Sequence, residues 1–140
     1  MWGALLPADR DVVMYRISEL RECIHELTRI TSKPYEELGI DERYSIRYNI
    51  IVLAEALVAL CLHIAKNVFN YMPKSYVDSV EYVGRRLGVK CCEDLIAIVK
   101  LRNLVVHRYW VVDDRKIYES VVNDFKCVEE FIMVVERKVL

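Results

Sequence analysis

Ile50-Ile51-Val52-Leu53-Ala54-Glu55-Ala56-Leu57-Val58-Ala59-Leu60-Cys61-Leu62 contains one residue, Glu55, that is not apolar. At a helical period such a run presents no polar face to water, so a helix carrying it must be covered all round, at the centre of a bundle or against a second chain. Helix is expected over residues 41–69, and homo-oligomerisation is expected from the same run.

Upstream, Val13, Ile17, Leu20, Ile24 and Leu27 step by four and three, which places them on one stripe of a helix over residues 9–30. Arg16, Glu19, Glu22 and Glu26 fall largely on the other side. Ser32, Pro34 and Gly39 mark residues 31–40 as a connector with room for one turn over 35–38. Downstream, Ser75 followed by Asp78 is an N-cap signal, and Gly88 is a stop. A further helix is expected over 92–106.

After a short break at 110–113, Asp113 or Asp114 caps a last helix bearing Ile117, Val121, Phe125, Val128, Ile132 and Val135 at spacings of three and four. The expected fold is therefore an all-α, up-and-down bundle of four or five helices. Residues 9–140 form one domain, and 1–8 an N-terminal extension.

Composition agrees with that reading. The chain has 140 residues, 54% of them hydrophobic, with only 4 Gly and 3 Pro. Such a length suits one core, and the scarcity of turn residues disfavours a many-stranded β fold. The longest charge-free stretch, 56–65, is shorter than the roughly 18 apolar residues of a membrane span, and residues 1–7 lack the basic start of a secretory signal. No membrane association and a cytoplasmic location are expected.

Five cysteines, an odd number without repeated spacing, suit a reducing compartment better than a disulfide framework. Cys91-Cys92 is not a CxxC pair, and no metal ligation is expected. A net charge of −1, from 20 basic and 21 acidic residues, excludes a broadly basic nucleic-acid binder.

Three histidines are present. His25 lies among Glu22, Glu26 and Arg29 and reads as solvated; His63 sits in the apolar helix and reads as a hydrogen-bonded core or interface residue. His107 differs, because Lys100-Leu101-Arg102-Asn103-Leu104-Val105-Val106-His107-Arg108-Tyr109 gathers Arg, Asn, His, Arg and Tyr at one helix end. At about 100° per residue, Asn103 and His107 are about 40° apart, whereas Arg102 and His107 are about 140° apart. The latter pair converges only if the helix distorts, if the arginine wraps round, or if a second copy supplies the missing angle. Basic residues at a helix C-terminus are also ordinary dipole chemistry, so a site and a plain cap both remain open.

Arg102-x4-His107-x-Tyr109, with Asn103 after the arginine, resembles the signature of HEPN-domain proteins in their HepT-like branch. Outside the motif, Pro73-Lys74-Ser75-Tyr76, the Leu87-Gly88 turn and the Asp-led helix with Ile117-Tyr118 follow the same order, so the resemblance extends over about 9–135. The bare R-x4-H is weak; the combination is fairly specific. The resemblance implies a metal-independent, homodimeric endoribonuclease toxin of a type VII-like HEPN/MNT toxin–antitoxin pair, with no cofactor and an MNT-type nucleotidyltransferase antitoxin as partner.

On that reading His107 moves protons near neutral pH and Arg102 stabilises charge on the phosphorane, while RNA supplies its own 2′-OH nucleophile. Asn103 and Arg108 support or bind RNA, and Tyr109 accepts adenylyl groups that block the site. Glu42, Arg43, Arg47 and Tyr48 near the start of the second helix are candidates to complete the site; residues 1–7 have no counterpart in the pattern, and the bulky Trp110 follows the motif without a physical account. The alternative is a non-catalytic helical subunit that binds a nucleotidyltransferase or nucleotide through the polar helix end.

Overall fold

The computed structural model describes residues 8–140 and places six α-helices there: α1 (Arg10–Thr31), α2 (Ile40–Asn67), α3 (Tyr76–Arg86), α4 (Cys92–His107), α5 (Asp114–Asp124) and α6 (Lys126–Lys138). Residues 1–7 of the expected extension lie outside the described residues, whereas Ala8 packs against the core. The caps fall where local chemistry puts them. Asp9 accepts from the amides of Asp11 and Val12 to start α1, Ser75 from Asp78 to start α3, and Asp113 from Arg115 and Lys116 to start α5. Gly88, at φ 77°, ends α3, and Val89 N–H reaches back to the Gly84 carbonyl at 2.9 Å.

α2 is the central helix, packed by α1, α3 and α4. Ile50, Leu53, Leu57, Leu60, Cys61 and Ile64 on it have no exposed surface. Its length and composition would suffice for a membrane span, contrary to the expectation from charge-free runs, because the lone Glu55 barely dilutes the apolar window. In the bundle those apolar residues supply the core instead. Cover is incomplete, however: Tyr44, Tyr48, Glu55 and Leu62 fall on one outward stripe and remain exposed.

The expected single last helix is two. At Phe125 (φ −85°, ψ 0°) the regular ladder gives way to a tighter turn, with Val128 N–H bonded to the Phe125 carbonyl at 3.2 Å. The break buries the Phe125 ring and lets α5 pack on α1 while α6 reaches both α1 and α4. Tyr118 on α5 fastens the connector 31–40 by donating its hydroxyl to the Lys33 carbonyl at 2.6 Å.

α3 meets α4 closely at Gly84, where an added Cβ would stand 2.5 Å from Cys92 Sγ. Cysteine usage also departs from expectation, since Cys91 and Cys127 form a disulfide across 36 residues. Packing of α6 against the start of α4 brings together two cysteines that sequence spacing leaves unrelated. Cys23, Cys61 and Cys92 are free and buried, and burial pushes the Cys23 thiol up to about 11 and the Cys61 thiol higher still, so both stay protonated.

Candidate functional site at the end of α4

α4 changes character over its last two turns. Up to Val99 its inward positions Leu95, Ile98 and Val99 are buried; Arg102 occupies the next inward position and is held by polar partners. Its Nη1 donates to Asn103 Oδ1 at 3.0 Å, its Nη2 pairs with Glu55 of α2, and its guanidinium lies 5.9 Å from the Tyr76 ring centroid. Only 17% of the Arg102 side chain is exposed, and Nε is buried without a partner. Of five N–H donors, two are committed and one is enclosed, which leaves two Nη hydrogens for an incoming anion.

Glu55 therefore has a purpose that its isolation in the apolar run advertised without revealing. It balances a half-buried cation, and together with Asn103 it fixes the guanidinium plane.

His107 is the final residue of α4 and is exposed. Among the described residues no hydrogen bond or ion pair joins it to Arg102; the helix neither distorts nor lets the arginine wrap. Arg102 is thus brought to Asn103, Glu55 and Tyr76, whereas His107 faces solvent. Arg108, also exposed, closes the helix by donating its N–H to the Leu104 carbonyl at 2.8 Å.

Tyr109, Trp110 and Val111 follow as one 3-10 turn with 63%, 67% and 50% of their surface exposed. Arg47 of α2 holds this turn: Nη1 donates to the Tyr109 carbonyl at 3.2 Å, Nη2 to the Val112 carbonyl at 3.5 Å, and Nε to Asp114 at 2.7 Å. Arg47 is one of the four α2 candidates named from the sequence, and its partners lie 62 to 67 positions away. Of the others, Glu42 accepts from the Gly39 amide and from Lys33, capping α2, while Tyr48 lies on the exposed stripe. Arg43 Nε is buried without a partner.

His25 is exposed, as expected, and His63 accepts the Asp9 N–H at Nε2, 3.0 Å away, tying the start of α1 to α2. Burial holds the His63 imidazole below its ordinary value, with the Asp9 charge opposing. No cluster of three or more His, Cys, Asp or Glu able to hold a metal occurs among the described residues.

A family model described as Ribonuclease HepT-like matches residues 18–135, and the chain belongs to that family. The likeness extends to solved structures. A tri-AMPylated Shewanella oneidensis HEPN toxin in complex with MNT antitoxin superposes with a TM-score of 0.83 at 21% identity, over 93% of this chain and 100% of that one. A toxin–antitoxin crystallised with AMP-PNP gives 0.83 at 20% identity, over 92% and 100%. The Bacillus subtilis cytosolic protein of unknown function YutE gives 0.79 at 15% identity, over 95% and 92%. At such identities the superpositions establish the HEPN fold. No curated protein matches the chain.

Proposed function

We propose that this chain is a cytoplasmic, metal-independent endoribonuclease toxin, acting as a homodimer and paired with an MNT-type nucleotidyltransferase antitoxin. One observation carries the reading: a guanidinium caged by Glu55, Asn103 and Tyr76 stands five residues before a freely exposed imidazole on the same helix end.

Within one protomer Arg102 and His107 diverge, so a single phosphate meets both only where two helix ends share a cleft. A two-fold axis through the uncovered stripe of α2, which contains Glu55, sets the two copies of Arg102 about one seam. There the net charge of −1 is no obstacle, because Arg102, His107 and Arg108 are each present twice in one place.

Chemistry follows from the groups. A neutral His107 imidazole takes the proton of the ribose 2′-OH as O2′ attacks phosphorus, and the Arg102 Nη hydrogens bind the phosphorane oxygens. The P–O5′ bond breaks, and an imidazolium, the same group or its symmetry mate, returns a proton to O5′. The products are a 2′,3′-cyclic phosphate and a 5′-hydroxyl. Asn103 fixes the guanidinium, and Arg108 holds a flanking phosphate. Adenylylation of the exposed Tyr109 hydroxyl adds bulk and negative charge two residues from His107, shutting RNA out.

The purified protein is expected to cut single-stranded RNA in EDTA, with a rate that falls as salt rises. Arg102→Ala and His107→Ala should each abolish cutting while leaving the helical fold intact by circular dichroism. Undiminished cleavage by the His107 variant would end this reading.

A further inference from the structure

Trp110 is the bulkiest side chain near the candidate site and lies outside the hydrophobic core. The residue is 67% exposed, in the turn that directly follows His107 and Arg108. An aromatic left in water is ordinarily free to tumble on a loose loop. Here the backbone beneath it is pinned: Arg47, only 19% exposed, grips the carbonyls on either side, and Asp114, 23% exposed, grips Arg47. Val111 N–H closes the turn onto the Arg108 carbonyl at 3.0 Å.

Tyr109 meets the indole edge-to-face, with centroids 5.3 Å apart and planes at 83°. Such a contact steadies the indole while occupying at most one of its faces. A rigid, amphipathic plate of this kind, with an arginine two residues before it, suits an unpaired nucleobase whose neighbouring phosphate takes the cation. Trp110 Cα is three residues from His107, so at most about 11 Å of chain separates them.

We propose that Trp110 is a stacking platform for an unpaired base of single-stranded RNA flanking the scissile phosphate, and that Arg47 is the positioning residue that holds the platform; this rests on the ribonuclease reading above. Stacking is tolerant of base identity, so the platform selects single strands over duplex rather than one sequence.

The test uses the full chain carrying Trp2→Phe, which leaves Trp110 as the sole tryptophan. The probe is a single-stranded 2′-O-methyl RNA, whose blocked oxygen cannot attack phosphorus, so binding is measured apart from cleavage. Its addition should quench Trp110 fluorescence. In binding followed by a label on the probe, Trp110→Ala should weaken affinity about tenfold, Trp110→Phe should restore most of it, and duplex probe should bind no better to wild type than to Trp110→Ala. Arg47→Met should reduce affinity while leaving the quench at saturation.

Equal affinity in wild type and Trp110→Ala, or no quench on saturation, would overturn the proposal. So would an affinity loss that sedimentation traces to dissociation of the dimer, which would make Trp110 a subunit contact instead. Quenching by the blocked RNA, together with no cutting of ordinary RNA, would defeat the nuclease reading and leave the platform standing.

Discussion

Arg102 shows how a single side chain can be legible as important and illegible as to its arrangement. Its spacing from His107 marks the helix end, but its counterion is Glu55, on another helix. The fork geometry matters as much as the charge: two Nη atoms reach two partners at once, and a lysine ammonium cannot take up the same plane. Arg102→Lys is therefore expected to lower RNA cleavage roughly 10²-fold or more, measured as the single-turnover rate. A rate within a factor of about two would show that charge alone suffices.

His63 belongs to the same scale. Its Nε2 accepts the Asp9 N–H only while neutral, and burial lowers its folded pKa from 6.5. Between the folded value and 6.5 the unfolded chain binds the additional proton, so this contribution to stability is complete above 6.5 and is lost as pH falls through the lowered value. Thermal unfolding followed from about pH 7 down to about pH 5 should reveal the decline, and His63→Gln should remove this component of it.

Among elements, the α3–α4 contact is the most sharply constrained. Gly84 is buried and its absent Cβ leaves the space that Cys92 Sγ fills. Gly84→Ala should cost about 1–3 kcal/mol in urea unfolding through overpacking, despite alanine's better helix propensity. In a Cys92→Ala background, where only the Cβ at 3.5 Å remains, most of that cost should disappear; an unchanged penalty would refute the clash. The start of α3 rests on Ser75, whose side chain accepts the Asp78 N–H at 3.0 Å. Ser75→Ala is expected to cost about 1 kcal/mol by the same measurement.

The whole molecule is closed by the Cys91–Cys127 link, which ties α6 to the entry of α4. Closing a loop of 36 residues is worth about 2–4 kcal/mol, mostly by restricting the unfolded chain. A reductant should lower the melting temperature of the wild type and leave that of Cys127→Ala unchanged. Equal melting with and without reductant would show that the link does not stabilise the protein.

Helix positions, caps and the all-α class were readable because each depends on neighbours within one or two turns. The period of Val13 to Leu27, the Ser75 and Asp113 caps and the Gly88 stop all act locally. The split at Phe125 was not readable, since its three- and four-residue spacings fit one helix as well as two; burial of the Phe125 ring decides between them. The candidate site was half legible. Arg102, Asn103, His107, Arg108 and Tyr109 lie in one stretch and Arg47 stood among four candidates on α2, but nothing local marked Glu55 and Tyr76 as belonging with it.

By itself the amino-acid sequence determined a helical bundle with a nearly all-apolar central helix, and a polar end to α4 bearing a family signature. Tertiary structure alone decided that Glu55 faces Arg102, that Arg47 pins the Tyr109–Val111 turn, and that Cys91 meets Cys127. Hydrophobic periodicity and capping act over a few residues, whereas those pairings join residues 36 to 65 positions apart that only packing brings within reach.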